Sequence, residues 1–303
     1  MHKVKLIFNP IANHGRSGQA ASDLRTMVEK LGGADWAGTE YPAHATELAA
    51  QAGQEGYSVV VALGGDGTVH EVVNGLLRIP AESRPALGVV PMGSGNDFAF
   101  NTGISFNPVT AIERVFGGTS VVVDAAQITD GGGRSEYWDN TCGMLFDAAV
   151  NIQSRKITRL HGFTMYLTAT IRAIIENYAP TRFKMTMDGQ PMDRSLLMVV
   201  LGNGAREGGG FTVTPAAKNN DGVLDYLMID PIPRPMMFRL LPEVMAAKHA
   251  RFDCCHLGTF HTLTIESDRA VPVHLDGELW APYEADLRQI TVTVLPGALR
   301  VMK

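Results

Sequence analysis

Residues 59–68 read VVVALGGDGT, an apolar run that ends in a glycine-rich turn with one acidic residue. The run predicts a buried strand, and glycines at its carboxyl end let backbone amides approach phosphate oxygens closely. A helix predicted from Thr68 directs its positive end at the same place. Asp66 lies among these groups. Because a carboxylate does not contact a bare phosphate favourably, its presence implies either a bridging Mg²⁺ or a proton to be removed. Taken alone, the stretch fits a phosphate site and an ordinary turn capped by Asp66 equally well.

The same pattern recurs one predicted strand later, where residues 91–99 read PMGSGNDFA. Ser94 can donate to a phosphate oxygen, and Asp97 brings a second carboxylate to the same sheet edge. A dinucleotide-binding fingerprint would need a third glycine after Gly93 and Gly95, and none follows. Two adjacent phosphate-type turns favour phosphate chemistry over hydride transfer.

The first part of the chain alternates short apolar runs with helical periodicity, which predicts a parallel sheet covered by helices. The predicted strands are residues 4–8, 58–63 and 87–91. The predicted helices are residues 17–31 with Ser17 as cap, 45–54 and 68–77, and a further helix begins at Asn107-Pro108.

After Asp124 the pattern changes to β-rich stretches punctuated by Gly, Asp and Pro, which predicts a mainly antiparallel domain. The predicted β-stretches are 195–201, 262–266, 271–275 and 290–295, and the predicted helices are 164–178 and 236–248, the second following Pro231, Pro233 and Pro235. We therefore predict two domains, 1–124 and 125–303, with the last strand packing either in the second domain or back toward the first.

Composition excludes several classes of protein. The 303 residues are 45% apolar and 19% charged, which is ordinary for a globular protein. A net charge of −5 without a long basic run argues against a nucleic-acid partner. Three cysteines cannot build a disulfide framework. The apolar run at the N-terminus is too short for a secretory signal, and we expect a cytoplasmic protein with peripheral contact at the inner membrane face.

Together, Asn9-Pro10 and residues 64–75 and 91–97 resemble the catalytic domain of the diacylglycerol kinase family, which includes bacterial lipid kinases and sphingosine kinases. The likeness continues in the second half through several short motifs: Gly143 and residues 146–148, 202–204, 208–211, 215–216, 221–225, 276–278 and 295–301. It implies a Rossmann-like, NAD kinase-like first domain, a β-rich lipid-substrate domain and an active site in the interdomain cleft. It also implies ATP as co-substrate, Mg²⁺, and a role in lipid metabolism and phospholipid biosynthesis.

Position by position, the resemblance implies functional residues in both domains. Nucleotide contacts fall on Asn9, Pro10, Ile11, Ala12, Asn13, Thr39, Gly65, Asp66, Gly67, Thr68, Val69, His70, Glu71 and Ser94. Catalytic roles fall on Glu278, Asp276, Asp66 and Asp97, where Glu278 matches the proton acceptor and Asp276 competes with it. A Mg²⁺ site falls on Lys218, Asp221 and Val223 through one carboxylate and backbone oxygens. Read from the residues alone, Asp221-Gly222 favours a plain hairpin turn.

Alternatives stay open on activity and on the role of single residues. The acceptor could be diacylglycerol, a sphingoid base, phosphatidylglycerol or a polyprenol, and a homodimer is compatible with the sequence. A kinase of a soluble metabolite such as NAD, or a catalytically silent binding module, would use the same motifs. The apolar and basic segments 155–178 and 236–241 are candidate lipid surfaces, although amphipathic helices are more often core. His70 and His249 favour structural roles over acid–base catalysis.

Overall fold

The computed structural model describes residues 3–10 and 16–303. The chain divides into two compact units, one formed by Met1–Ala125 with Pro296–Lys303 and the other by Ala126–Leu295. The first is α/β with a parallel sheet and the second is β-rich and antiparallel, which confirms the predicted fold class.

The first unit is built on four parallel strands in the order β2-β1-β3-β4. The strands are β1 (Val4–Phe8), β2 (Asp35–Gly38), β3 (Val59–Gly64) and β4 (Ala86–Pro91). The helices are α1 (Arg16–Leu31), α2 (His44–Gln54), α3 (Asp66–Leu76), α4 (Asp97–Thr102) and α5 (Pro108–Gly117). Every residue of β3 and β4 is buried, as expected for parallel strands covered on both faces.

The predicted elements of this unit are confirmed, with shifts at helix starts. Helix α1 begins at Arg16, so Ser17 is inside the helix and the predicted cap is wrong. Helix α3 begins at Asp66, two residues before the predicted Thr68, because Gly65 takes the extended conformation of a helix cap. Asn107 caps α5 as predicted.

Strand β5 (Ser120–Asp130) leads from the first unit into the second. The strands that follow are β6 (Ser135–Trp138), β7 (Thr141–Leu145), β8 (Thr181–Met187), β9 (Gln190–Leu196), β10 (Met198–Gly202), β11 (Arg206–Glu207), β12 (Phe211–Thr212), β13 (Leu224–Ile229), β14 (Cys255–Phe260), β15 (Thr262–Ser267), β16 (Val273–Leu275), β17 (Glu278–Ala281) and β18 (Gln289–Met302). The helices are α6 (Phe146–Ser154), α7 (Gly162–Glu176) and α8 (Arg234–Met245).

Two antiparallel sheets enclose the core of the second unit. One has the order β14-β13-β10-β7-β16-β17, and the other pairs β9, β8, β15 and the first half of β18. Side chains such as Met144, Phe183 and Phe260 fill the core between them. Helices α6, α7 and α8 pack apolar residues against strands of the first of these sheets.

Several predictions for this unit need correction. Residues 195–201 form no single strand: β9 ends at Leu196 and β10 begins at Met198, because the chain passes from one sheet to the other at Leu197. Helix α8 begins at Arg234 and includes Pro235, which the first turn tolerates since no partner is needed for its missing N–H. The strand predicted at 271–275 is shorter, and the one at 290–295 is part of the longer β18.

The hairpin interpretation of Asp221-Gly222 is also wrong. Residues 219–222 form a turn, but β12 before it pairs with β11, and β13 after it pairs with β10 and β14. Helix α6 was not predicted. It is buried on nearly all sides, so the polar residues Asp147 and Asn151 lie on a buried face, and its sequence lacks the exposed polar face of a surface helix.

In the part of the chain that the structure describes, no helix combines the length and apolar character needed to cross a membrane.

Candidate functional site

The two glycine turns of the first unit lie side by side. Strands β3 and β4 pair in register up to Gly64 and Pro91, and the Met92 amide donates to the Gly64 carbonyl at 2.8 Å. A Cβ added to Gly93 would lie 2.4 Å from the Gly65 Cα. Only glycine allows this approach of two backbones, and paired glycine turns at strand ends form the kind of backbone cradle that binds phosphate groups.

Two carboxylates accompany these turns, at the first residues of α3 and α4. A Cβ added to Gly95 would lie 2.8 Å from an Asp66 oxygen and 3.2 Å from an Asp97 oxygen, so both carboxylates flank Gly95. Asp97 is buried, and Asp66 accepts a hydrogen bond from the Phe98 amide at 3.2 Å. The structure therefore brings the two predicted acids together at the edge of one sheet.

Asn96 holds the second turn in shape. It has the left-handed backbone conformation (φ 53°), and its side chain accepts from the Gly93 amide at 2.8 Å and donates to the Gly93 carbonyl at 2.9 Å. Ser94, between these two residues, is exposed and its hydroxyl is accessible to a ligand.

The other predicted nucleotide contacts near β1 are only partly covered by the structure. Asn9 and Pro10 follow β1 and are half-buried, whereas Ile11, Ala12 and Asn13 lie outside the described residues. Thr39 follows β2, and its amide donates to the Phe8 carbonyl at 2.8 Å, which keeps it beside the end of β1.

The predicted nucleotide-contact residues along α3 differ in burial. Gly65 and Gly67 are half-buried at the turn, and the Thr68 side chain packs over Gly64, where a Cβ would lie 2.3 Å from its hydroxyl oxygen. Further along, Val69 and His70 are buried, and His70 bonds to Asn74 at 3.3 Å.

The Glu71 carboxylate accepts hydrogen bonds from the Ala43 and Ala45 amides at 3.0 and 3.1 Å. Both of its oxygens are thereby engaged at the start of α2, where Ala43 itself offers no side-chain cap. His249 is buried as well and bonds to the Val213 carbonyl at 3.0 Å, so both histidines have the structural surroundings favoured above.

In the second unit, Asp276 and Gly277 form a two-residue hairpin between β16 and β17. Their φ angles are 51° and 85°, the positive values that an Asp-Gly hairpin turn requires. The Asp276 carboxylate is buried and accepts bonds from the Asp139, Asn140 and Thr141 amides at 3.1, 2.9 and 3.0 Å. The Asp276 carboxylate therefore stabilises the backbone of residues 139–141 in the folded unit.

Glu278, two residues later, has different surroundings. Its side chain is 54% exposed and pairs with Arg155 at 2.7 Å. The carboxylate is therefore accessible to a substrate, whereas that of Asp276 is not.

Below this turn lies a buried pair that sequence reasoning missed. The His274 Nε2 is 2.7 Å from an Asp147 oxygen, and together with Glu207 these residues place three possible metal ligands within 4.8 Å of one another. The Asp147–His274 separation is that of a direct hydrogen bond. A Cβ at Gly143 would collide with both side chains, but nothing in the sequence around Gly143 indicates this, since Asp147 and His274 are 127 residues apart.

The loop predicted to hold Mg²⁺ precedes β13. Lys218 and Asp221 are exposed and Val223 is half-buried. Burial, and secondly the charge of Asp221, raise the pKa of Asp225 to about 6. Asp221 thus adds negative charge beside Asp225, and a divalent cation bound at this loop would offset that charge.

Comparisons with known proteins identify both halves of the chain. Residues 3–128 match the diacylglycerol kinase catalytic domain, and residues 141–303 match the YegS C-terminal NAD kinase beta sandwich-like domain. A diacylglycerol kinase of Mycobacterium tuberculosis is 28% identical over 99% of this chain and 95% of its own. A YegS-like lipid kinase of Chromohalobacter salexigens is 31% identical over 83% and 78%.

Solved structures agree on the fold. Two Bacillus anthracis proteins of the diacylglycerol kinase type match with TM-scores of 0.80 and 0.71, at 24% and 21% identity, over 99% of this chain and 97% and 96% of theirs. The chain therefore belongs to the family of diacylglycerol kinases and YegS-like lipid kinases.

Proposed function

We propose that the protein is an ATP- and Mg²⁺-dependent kinase that transfers the γ-phosphate to a lipid hydroxyl. Diacylglycerol is the first candidate acceptor, and a sphingoid base or phosphatidylglycerol are alternatives. The observation that carries the proposal is the pair of glycine turns at Gly65 and Gly93 with Asp66 and Asp97 beside them. Such a cradle suits phosphates, and its acids suit phosphoryl transfer rather than simple anion binding.

In this proposal the first unit binds the nucleotide. The Gly65, Gly67 and Gly93 backbone and the Ser94 hydroxyl donate to phosphate oxygens, and the start of α3 adds its positive dipole. Asp66 and Asp97 orient the reacting groups. Positioning and charge stabilisation account for most of the acceleration in phosphoryl transfer.

Glu278 is assigned the role of general base, which removes the proton from the acceptor hydroxyl. Its exposure supports this assignment. Protonation of Asp276 would disturb bonds to three backbone amides, so Asp276 is assigned a structural role. The placement of the active site in an interdomain cleft stays a prediction.

Asp221 would hold Mg²⁺ together with backbone oxygens at Lys218 and Val223. A bound ion would neutralise charge on the phosphate groups. The charge on Asp221 and its neighbour Asp225 supports cation binding at this loop.

A lipid acceptor requires contact with a membrane surface, and α7 offers a suitable face. Ile171 and Ile175 are exposed and four residues apart, which places them on one side of the helix, and the exposed Tyr178 follows two residues after the helix ends. Phe238 of α8 is also exposed, and the Arg234 guanidinium lies 5.3 Å from the Tyr178 ring centre. Apolar side chains with flanking arginines suit peripheral contact with an anionic membrane, which we propose is the cytoplasmic face.

The membrane contact is tested by sedimentation with anionic vesicles. Ile175→Glu should reduce the bound fraction severalfold, since a charge would enter the apolar face. Val122→Glu, at an exposed apolar residue of β5, is the matched control. Equal binding of both variants would contradict the proposed face.

The kinase proposal is tested by transfer of labelled γ-phosphate from ATP with Mg²⁺ to lipids in mixed micelles. The panel holds the candidate lipids and NAD as a soluble acceptor. Asp66→Asn and Glu278→Gln should each lower kcat by about 100-fold or more. Glu284→Gln, at an exposed acid, should leave kcat unchanged.

Other outcomes would replace the proposal. Phosphorylation of NAD without labelled lipid would indicate a soluble-metabolite kinase. Nucleotide binding without any labelled product would indicate a silent binding module.

A further inference from the structure

One face of α6 contacts the turn that carries Glu278. Asp147, Asn151 and Arg155 are spaced by four residues and so lie on one side of the helix. Asp147 bonds to His274, Asn151 donates to the Gly277 carbonyl at 2.5 Å, and Arg155 pairs with Glu278 at 2.7 Å. A single helix face thus contacts His274, Gly277 and Glu278 in order.

His274 connects this face to the backbone of the turn. Its Nδ1 lies 3.3 Å from the Gly277 nitrogen and accepts from that amide. Its Nε2 then carries the proton and donates to Asp147 at 2.7 Å, as the two partners require. The ring is buried, and Asp147 fixes its orientation.

The packing around this pair leaves it little freedom. A Cβ on Gly143 would lie 1.7 Å from an Asp147 oxygen and 2.2 Å from the His274 Nε2. The absence of a side chain at Gly143 is what makes room for the hydrogen bond. The hydrogen-bonded side chains of Asp147 and His274 therefore fill the space that Gly143 leaves.

We propose that His274, Asp147 and Asn151 are positioning residues that hold the two peptide groups on either side of Gly277 and thereby orient Glu278 toward the acceptor hydroxyl. This inference rests on the proposed role of Glu278 as base. Gly277 has a φ of 85° and no side chain, so the peptide groups on its two sides are oriented by hydrogen bonds, one to the Gly277 N–H and one to the Gly277 C=O. His274 and Asn151 supply them.

Two substitutions separate positioning from a merely structural role. In His274→Asn, the amide oxygen can replace Nδ1 and accept from Gly277, but the bond to Asp147 is lost. In His274→Gln, the amide nitrogen can replace Nε2 and donate to Asp147, but the acceptor for Gly277 is lost. If positioning matters, kcat should fall about 10- to 100-fold in His274→Gln, with the KM for ATP unchanged. The loss of kcat in His274→Asn should be at least tenfold smaller than the loss in His274→Gln.

Melting temperatures provide the second measurement. We expect His274→Asn to melt lower than His274→Gln, because only His274→Asn leaves the buried Asp147 carboxylate without a donor at this position, so that activity and stability change in opposite order. A native kcat in His274→Gln, or losses of kcat that follow the losses of stability, would overturn the inference. If His274→Asn does not fold, Asn151→Ala, which removes the donor to the Gly277 carbonyl, should lower kcat with the same unchanged KM.

The outcomes also distinguish this inference from the proposed function. If the wild-type protein labels lipid and Glu278→Gln does not, a native kcat in His274→Gln and Asn151→Ala overturns positioning alone. A wild-type protein that labels no acceptor, or an active Glu278→Gln, overturns the kinase proposal or its base instead.

Discussion

Asp276 and Glu278 are two residues apart on one hairpin, yet their carboxylates have opposite surroundings. One is buried under three amide donors and the other is exposed beside Arg155. At the scale of single residues, burial and hydrogen-bond partners thus separate a structural acid from a candidate base.

The structural role of Asp276 predicts a loss of stability in Asp276→Asn. An amide nitrogen cannot accept from a backbone N–H, so at least one of the three bonds is lost. The free energy of unfolding should fall by about 2 kcal/mol, measured by urea denaturation. Glu278→Gln is the control and should unfold like the wild type. Unchanged stability in Asp276→Asn would contradict this role.

The contact between Gly65 and Gly93 predicts that Gly93→Ala is destabilising. Its Cβ would lie 2.4 Å from the Gly65 Cα, so one turn must move. We expect a cost of about 1–3 kcal/mol and weaker ATP binding, measured by denaturation and calorimetry. Gly117→Ala meets no atom within 4 Å and serves as control. If both variants behave alike, the two turns do not depend on this contact.

At the scale of elements, α2 is capped by a residue of α3. Glu71 accepts from the Ala43 and Ala45 amides at the start of α2. Glu71→Ala should therefore cost about 1 kcal/mol of stability and leave the KM for ATP unchanged. Glu82→Ala, at an exposed acid, is the control. A raised KM with native stability would instead assign Glu71 to the nucleotide.

His249, in the short turn after α8, makes the free energy of unfolding depend on pH. Burial lowers the pKa of His249 below its usual 6.5. The unfolded chain then binds more protons than the folded one as pH falls through 6.5, so this residue removes stability on acidification. His249→Gln should flatten the fall in melting temperature between about pH 7 and pH 5. His161→Gln, at an exposed histidine, should leave the profile unchanged, and an unaltered slope in both would contradict the assignment.

At the scale of the whole chain, the last residues complete the first unit. Val301 is buried and pairs with Leu87 of β4, and the Lys303 and Thr119 backbones exchange two hydrogen bonds. Val301→Asp should cost about 3 kcal/mol or more, because a charge would be buried without a partner. Hydrogen exchange should accelerate in β3 and β4. Val122→Asp, at a valine that is 56% exposed, should leave exchange unchanged, and slow exchange in both variants would contradict this role of β18.

Local sequence patterns were enough to predict the parallel first unit, three of its strands and the two glycine turns. These features depend on local patterns, since apolar runs specify buried strands and glycine specifies backbone that no other residue can replace. The change of sheet at Leu197 escaped prediction, because an unbroken apolar run does not show which partner strands it will meet.

Which acids are buried and hydrogen-bonded, and which are exposed, depends on contacts between residues that are far apart in the chain. Asp276 meets the Asn140 amide across 136 residues of chain, and Asp147 meets His274 across 127. Glu71 reaches Ala43 in the same way. Such partners are brought together by the packing of whole elements, and no local spacing records them. The residues that hold the candidate base in place were for that reason visible only in the fold.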